Sequence, residues 1–408
     1  MPLARKRTLM TDQRPTLSAA LLFLVLIGST PQVAKAAPPE RPVDPQANPM
    51  AQRLLNYLAQ PHPIISGQGA GLLDGYEATA TTPYRGITYG YQHDVEGLEE
   101  KSGQWVGLIG INYGRLIPCE DTNPFNPDHL SPYMNCTNPT LDYKSAYEAA
   151  DQILIDYWNA GGLVAAMWHA PNPWTGGNAH DITVLGNFSD LYTPGHFMNL
   201  TFNRMLDELA APLAELQKAG VVVLFRPFHE NNGNWFWWGD KGAGMEPSAG
   251  QFSALWRYTF DYMTNTKGLH NLLWVYCINR SGANGSEDVL VFNPGEKYFD
   301  IVALDDYKSN NGNKPQNIQV PYEQMKSLGK PIALGEYGPL SPWIDDPSNH
   351  FNWLDLVKVE NEYPGFSYFM AWGGTPTDPQ AIIQEVNGPE LLNQPGAVTN
   401  RGDLHWKQ

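Results

Sequence analysis

A single (β/α)8 barrel with long loops after its strands is the fold that this sequence predicts, and three observations predict it. Eight short apolar runs recur along the chain, amphipathic helical stretches lie between most of them, and the residues just after the runs are polar and aromatic. The runs cover residues 64–66, 105–111, 163–168, 221–225, 272–277, 301–304, 331–334 and 366–372. Helical spacing marks 48–60, which stops before Pro61, and then 143–159, 196–218, 248–265, 322–328 and 350–359. The long loops fall after the second, third and fifth strands. A doubly wound open sheet is the rival architecture, but no Gly-x-Gly-x-x-Gly follows a strand.

Composition bounds the function. With 42% hydrophobic and 17% charged residues, 13 Trp and 20 Tyr, the 408-residue chain is built to bury a large core and is not disordered. A formal net charge of -16 excludes nucleic acid as a partner and is compatible with a neutral polymer. Residues 1–36 read as a signal peptide: Arg5, Lys6, Arg7 and Arg14 form a basic start, residues 19–27 an apolar stretch too short to span a bilayer, and Ala34-Lys35-Ala36 a cleavage site. Removing them takes away five basic residues and one acid, leaving 21 minus 41, or -20. The expected product is secreted, monomeric and not held in a membrane, with one domain over residues 37–408 that begins with a Pro-rich extended lead-in at 37–49. A disulfide between Cys119 and Cys136, closing a Pro/Asn-rich loop, suits that compartment. Cys277 lies in an apolar run and reads as a buried thiol.

The stretch that organises the rest is 221–239. Its apolar run is that of a strand buried on both faces, and Arg226-Pro227 is expected to end it. Then come His229, Glu230 and the indoles Trp235, Trp237 and Trp238. A carboxyl at a strand tip beside aromatic faces is what a carbohydrate site requires: indoles stack on the apolar face of a sugar and the acid serves the glycosidic oxygen. An isolated glutamate would read as a surface ion-pair partner; this density of side chains makes that reading the weaker one. Other strand ends converge on the same face: Trp168–Trp174 after the third, Asp305-Asp306-Tyr307 after the sixth, Gly335-Glu336-Tyr337-Gly338 after the seventh and Ala371-Trp372-Gly373-Gly374 after the eighth.

The run from Arg226 to Gly239 resembles the acid/base motif of glycoside hydrolase family 26, best known for β-mannanases, and the resemblance extends from about residue 60 to 372. It implies a retaining endo-β-glycanase with Glu230 as acid/base and Glu336 as nucleophile, 106 residues later in the chain. β-1,4-Mannan, glucomannan or galactomannan is the implied substrate, and no cofactor is required. His169 and His229 are candidates for contacts to sugar hydroxyls, Tyr307 for a hydrogen bond to Glu336, and Trp174, Trp235 and Trp372 for sugar platforms. Trp237 and Trp238 are candidates for buried wall, and Asp305 and Asp306 for supporting groups or helix caps. A metal site is the competing use of the histidines, but no close-spaced ligand motif occurs. Gly335 stands where the family's mannanases commonly carry Thr, and Ile111-Asn112-Tyr113-Gly114 where an Asp-Tyr pair is more usual. Those departures leave the reaction class intact and open the choice of sugar to mixed-linkage β-glucan or β-1,3-xylan. A non-catalytic polysaccharide-binding barrel is the alternative of another class.

Overall fold

The computed structural model describes residues 41–72, 90–113, 143–242, 244–281, 288–308, 317–339, 351–373 and 380–407. Residues 1–36, expected to be a signal peptide, and Cys119 and Cys136 lie outside the described residues. Ten parallel strands are described: β1 (Ile64–Ile65), β2 (Gly67–Leu72), β3 (Leu108–Asn112), β4 (Leu163–Trp168), β5 (Val223–Pro227), β6 (Leu272–Asn279), β7 (Ile301–Lys308), β8 (Ile332–Pro339), β9 (Phe366–Phe369) and β10 (Val398–Thr399). From β2 to β9 each strand pairs with the next.

The sheet closes on itself. Ile65 of β1 pairs with Tyr368 of β9 and Gln68 bridges Ala371, so β1 and β2 act as one stave broken at Ser66. The backbone N–H of Gly69 donates to the Ala371 carbonyl at 2.7 Å and that of Ala371 to the Gly67 carbonyl at 2.9 Å. Gly67 is required here, because a Cβ at that position would strike the carbonyl of Phe369 across the seam. Eight staves therefore form the barrel, as the apolar runs foretold, and β10 is a short addition beside β1.

Several strands run further than their apolar runs. β7 continues through Asp305, Asp306 and Tyr307, and β8 through Glu336 to Pro339. These acids sit on the strands rather than after them, because a ladder depends on backbone groups and the barrel interior supplies partners for the charges. Arg226-Pro227 are the last two residues of β5 rather than residues beyond it. Both residues pair with β4, while pairing with β6 stops at Phe225, so the missing N–H of Pro227 interrupts no bond there.

Helices form near where the spacing predicts, the last two displaced: Gln319–Ser327 for 322–328 and Asp355–Glu362 for 350–359. The helix Pro49–Leu58 is capped by Asn48, whose side chain accepts from the Ala51 N–H at 2.7 Å. Tyr143–Asn159 has the expected bounds, Phe197–Lys218 is capped by His196, and Ala249–Asp261 opens with a reciprocal Ser248–Gln251 capping box. The lead-in packs beside β6 and β7: Val43 N–H donates to Asp300 at 2.7 Å, and Asp44 lies 2.8 Å from His270. Near the other end, the guanidinium of Arg401 lies over the rings of Trp105 and Tyr157 at 4.2 and 4.8 Å.

Outside the strand-end cluster the carboxyls of Asp151 and Asp300 are buried and those of Glu208 and Glu360 half-buried. Burial pushes Asp151 and Asp300 up to about 7 and Glu208 and Glu360 up to about 8. Each of the two glutamates keeps one carboxyl oxygen sealed from solvent and unpartnered. A folded chain that holds protons which the unfolded chain has released gains stability on the acid side. That stability is complete below the unfolded carboxylate range and is lost as pH rises through 7 to 8. The thermal midpoint should therefore fall from about pH 5 to about pH 8.5; a midpoint that climbs over that window would contradict this account of the core.

Candidate active site

The upper interior of the barrel holds a buried arginine. Arg226, on β5 after a wholly apolar run, donates from Nη1 to Asp305 Oδ2 at 2.9 Å and from Nη2 to Glu336 Oε1. Nη2 also contacts Met167 Sδ at 3.3 Å, and Nη1 contacts Cys277 Sγ at 3.5 Å. Burial alone would lower the proton affinity of the guanidinium, but Asp305 and Glu336 reverse that and hold it charged. Asp305 is pulled the other way: burial and the charge of Glu336 push it well above the usual carboxylate range, against the opposing charge of Arg226. One cation is shared by two carboxyl groups.

Glu336 reaches this position through a break in register. Leu334 pairs with Leu304 and Glu336 with Asp305, so Gly335 is the extra residue of a β-bulge. A bulge re-aims the side chain that follows it, and here the Glu336 carboxyl meets Arg226 on one oxygen and the Tyr307 hydroxyl, 2.5 Å away, on the other.

Glu230 is held by a different set. It lies just past β5 with φ at +51°, and Phe228 has φ at +49°. Left-handed backbone of this kind costs about 1–3 kcal/mol per residue and persists only where surroundings enforce it. The Glu230 N–H is anchored to the Cys277 carbonyl at 2.9 Å. Its carboxyl accepts from Trp235 Nε1 at 2.6 Å and from Asn279 Nδ2 at 2.7 Å. Asn279 is clamped in turn by Asn232, which bonds both its N–H and its carbonyl. Burial, reinforced by the charge of Glu336, pushes the Glu230 carboxyl up to about 7 despite the two donors.

Around the two glutamates lie the histidines and aromatics. The Nε2 atom of His229 is 3.9 Å from Glu336, and its Nδ1 has no hydrogen-bond partner among the described residues. Burial, helped by Arg226, drives it well below its ordinary value, so it is neutral. His169 meets His229 edge-on at 4.4 Å, bonds Asn112 through Nδ1 at 2.7 Å and lies 5.8 Å from Trp372. Glu230, Glu336, His169, His229, Trp235, Tyr307 and Trp372 thus form one connected group. Trp174 belongs to the loop wall, packed on Phe188 and Trp237 at 5.1 and 5.7 Å. Trp237 and Trp238 are fully buried, their indole N–H groups on the carbonyls of Ala170 and His229. Asp305 and Asp306 cap no helix: the former serves Arg226, and the latter pairs with Arg280 at 3.2 Å.

Arg226 and Asn279 were not singled out from sequence. A signal for Asn279 exists in the alternation of β6, where it lies two residues beyond Cys277 and so on the same face. His180, also unforeseen, is exposed and packs 4.6 Å from Phe236. His229, Glu230 and Asp305 offer ligand atoms within 4.8 Å of one another. That donor set suits protons better than a cation, because both Asp305 oxygens are engaged and a guanidinium lies beside them.

A closed (β/α)8 barrel with two buried glutamates at the ends of its fourth and seventh staves has the architecture of a glycoside hydrolase. Residues 137–398 match the model of glycosyl hydrolase family 26, and the chain belongs to that family. A mannan endo-1,4-β-mannosidase of Caldalkalibacillus mannanilyticus is 34% identical over 284 residues, 66% of this chain; the match spans 52% of that relative's own length. A Bacillus subtilis mannan endo-1,4-β-mannosidase is 28% identical over 390 residues, 94% of each chain. The solved structure of a Bacillus subtilis mannanase superposes with a TM-score of 0.68 at 26% identity, covering 90% of this chain and 96% of its own.

The shared cation makes a direct prediction. Arg226→Met would leave Asp305 and Glu336 buried without a counter-charge, a loss of about 3–5 kcal/mol in unfolding free energy by denaturant titration. A loss below about 1 kcal/mol would mean that the pair is not desolvated as described.

Proposed function

We propose that this chain is an exported, retaining endo-β-1,4-mannanase in which Glu230 is the acid/base and Glu336 the nucleophile. The observation that carries the reading is the unlike environment of two neighbouring buried carboxyl groups. Glu230, raised to about 7, keeps its proton up to near neutral pH, whereas Glu336 is ion-paired with Arg226 and accepts from Tyr307. A proton donor and an anchored carboxylate are the two parts that double displacement at an anomeric carbon requires.

In the first step Glu230 protonates the glycosidic oxygen as Glu336 attacks C1, which forms a glycosyl-enzyme and releases the leaving sugar. In the second, Glu230 as carboxylate takes a proton from water, which attacks C1 and frees Glu336 with net retention. His229, which is neutral, and the neighbouring His169 and Trp372 are suited to contact the sugar. The names of the relatives favour mannan as the polymer. Export rests on the sequence of residues 1–36; among the described residues no helix is long and apolar enough to cross a membrane.

Glu230→Ala and Glu336→Ala should each lower turnover on mannan by orders of magnitude with an unchanged fold. Azide should partly restore Glu336→Ala with inverted product stereochemistry, because a small anion takes the empty place of the nucleophile. Near-normal turnover in either variant would sink the assignment. Release of reducing ends from glucomannan and galactomannan, but not from barley β-glucan or β-1,3-xylan, is the expected specificity.

The proton on Glu230 also sets a pH limb. It is present below about 7 and lost above, so kcat/KM should fall about tenfold per pH unit on the alkaline side of that value. A profile flat to pH 9 would remove Glu230 as the acid.

A further inference from the structure

Cys277 occupies a position that no part of this mechanism explains. It is wholly buried on β6 and is a free thiol. Its Sγ donates to Asp305 Oδ1 at 2.9 Å and receives a long contact from Arg226 Nη1 at 3.5 Å. Its carbonyl accepts from the Glu230 N–H at 2.9 Å and from Asn231 Nδ2 at 3.1 Å. One residue therefore touches the supports of both glutamates: the Asp305–Arg226–Glu336 chain through sulfur, and the strained Glu230 backbone through oxygen.

The bulge on β8 is fitted to that sulfur. A Cβ on Gly335 would lie 2.7 Å from Cys277 Sγ, 2.7 Å from Asp305 Oδ1 and 3.1 Å from Ala303 Cβ. Contacts of that kind require a neighbour to move in a packed interior. The absent side chain at 335 and the thiol at 277 use the same volume. The departure from Thr at position 335 is thus accounted for by a residue on another strand.

We propose that Cys277 is a positioning residue for the double displacement. Its thiol fixes Asp305 so that Arg226 presents Glu336 to the anomeric carbon, and Gly335 is the complementary vacancy in the bulge. The proposal rests on the assignment of Glu336 as nucleophile. Asp305 is faced by Arg226 from β5, Glu230 from the loop after it, Cys277 from β6 and Glu336 from β8, with Tyr307 on its own strand and Tyr368 on β9. The thiol is a donor to the carboxylate form. Its loss removes the donor on Asp305 Oδ1, so the carboxyl that steadies Arg226 is held less firmly and Glu336 is free to drift.

The test compares wild type, Cys277→Ala, Cys277→Ser, Gly335→Ala and Glu336→Ala on soluble glucomannan, with kcat, KM, the pH profile of kcat/KM and the thermal midpoint measured for each. Cys277→Ala should lower kcat about tenfold while KM changes less than about twofold, because positioning is lost and binding is not. Its acid limb should move to higher pH. Cys277→Ser, which keeps a donor, should restore the limb and keep kcat within about threefold of wild type. Gly335→Ala, which crowds the sulfur and Asp305 Oδ1 together, should reproduce the fall in kcat even if Cys277→Ala does not fold. A Cys277→Ala enzyme with wild-type kcat and pH profile would overturn the proposal. So would equal losses in the Ala and Ser variants that follow only the thermal midpoint. Full activity in Glu336→Ala would instead remove the nucleophile assignment, so the two failures are distinguishable.

Discussion

A guanidinium sealed inside the barrel is the constraint on which the rest of the site depends. Arg226 cannot lose its proton, and burial of its charge is tolerable only with counter-charges in contact. Asp305 and Glu336 supply them from β7 and β8, two and three strands away. The planar fork fixes where each carboxyl must lie, so the positions of three strands are registered at their upper ends by one side chain. Replacing such a network by apolar residues is often neutral for stability. Its retention here is therefore better understood as service to Glu336 than as a source of folding free energy.

The two glutamates differ because their surroundings differ. Glu336 is met by a cation and a phenol, Glu230 by an indole and an amide that are both uncharged. Burial acts on Glu230 and the negative charge of Glu336 adds to the effect, which the two uncharged donors and the charge of Arg226 offset only in part. The left-handed backbone at Phe228 and Glu230 belongs to the same design. It turns the chain sharply enough off β5 that Arg226 points into the barrel while Glu230, four residues on, joins the same cavity.

Much of this was legible in the sequence, and what was not has identifiable physical causes. Strand number, barrel class and the helix Tyr143–Asn159 follow from local periodicity, which the tertiary structure reinforces. Glu230 and Glu336 stand out because each ends an apolar run within a motif, Glu230 among histidine, asparagines and indoles; an isolated acid would not. The ends of β7 and β8 were read short because hydropathy stops at the first carboxylate, whereas the ladder continues through Asp305 and Glu336. Arg226 passed as a strand terminator, since its partners lie 79 and 110 residues away and no local pattern reveals them. The bulge at Gly335 was equally invisible. It is set by the fit between β8 and Cys277 on β6, a relation between strands that are not neighbours in the sheet.

The central claim is that Glu336, held by Arg226, forms the covalent bond to the sugar. A 2-deoxy-2-fluoro-β-mannosyl fluoride slows the breakdown of such an intermediate enough for it to accumulate. Incubation with the purified protein, digestion and peptide mass spectrometry locate the adduct. The account predicts one sugar per chain, on the peptide that contains Glu336, with none in Glu336→Ala. An adduct on Glu230, or no adduct from an enzyme that turns over mannan normally, would contradict it.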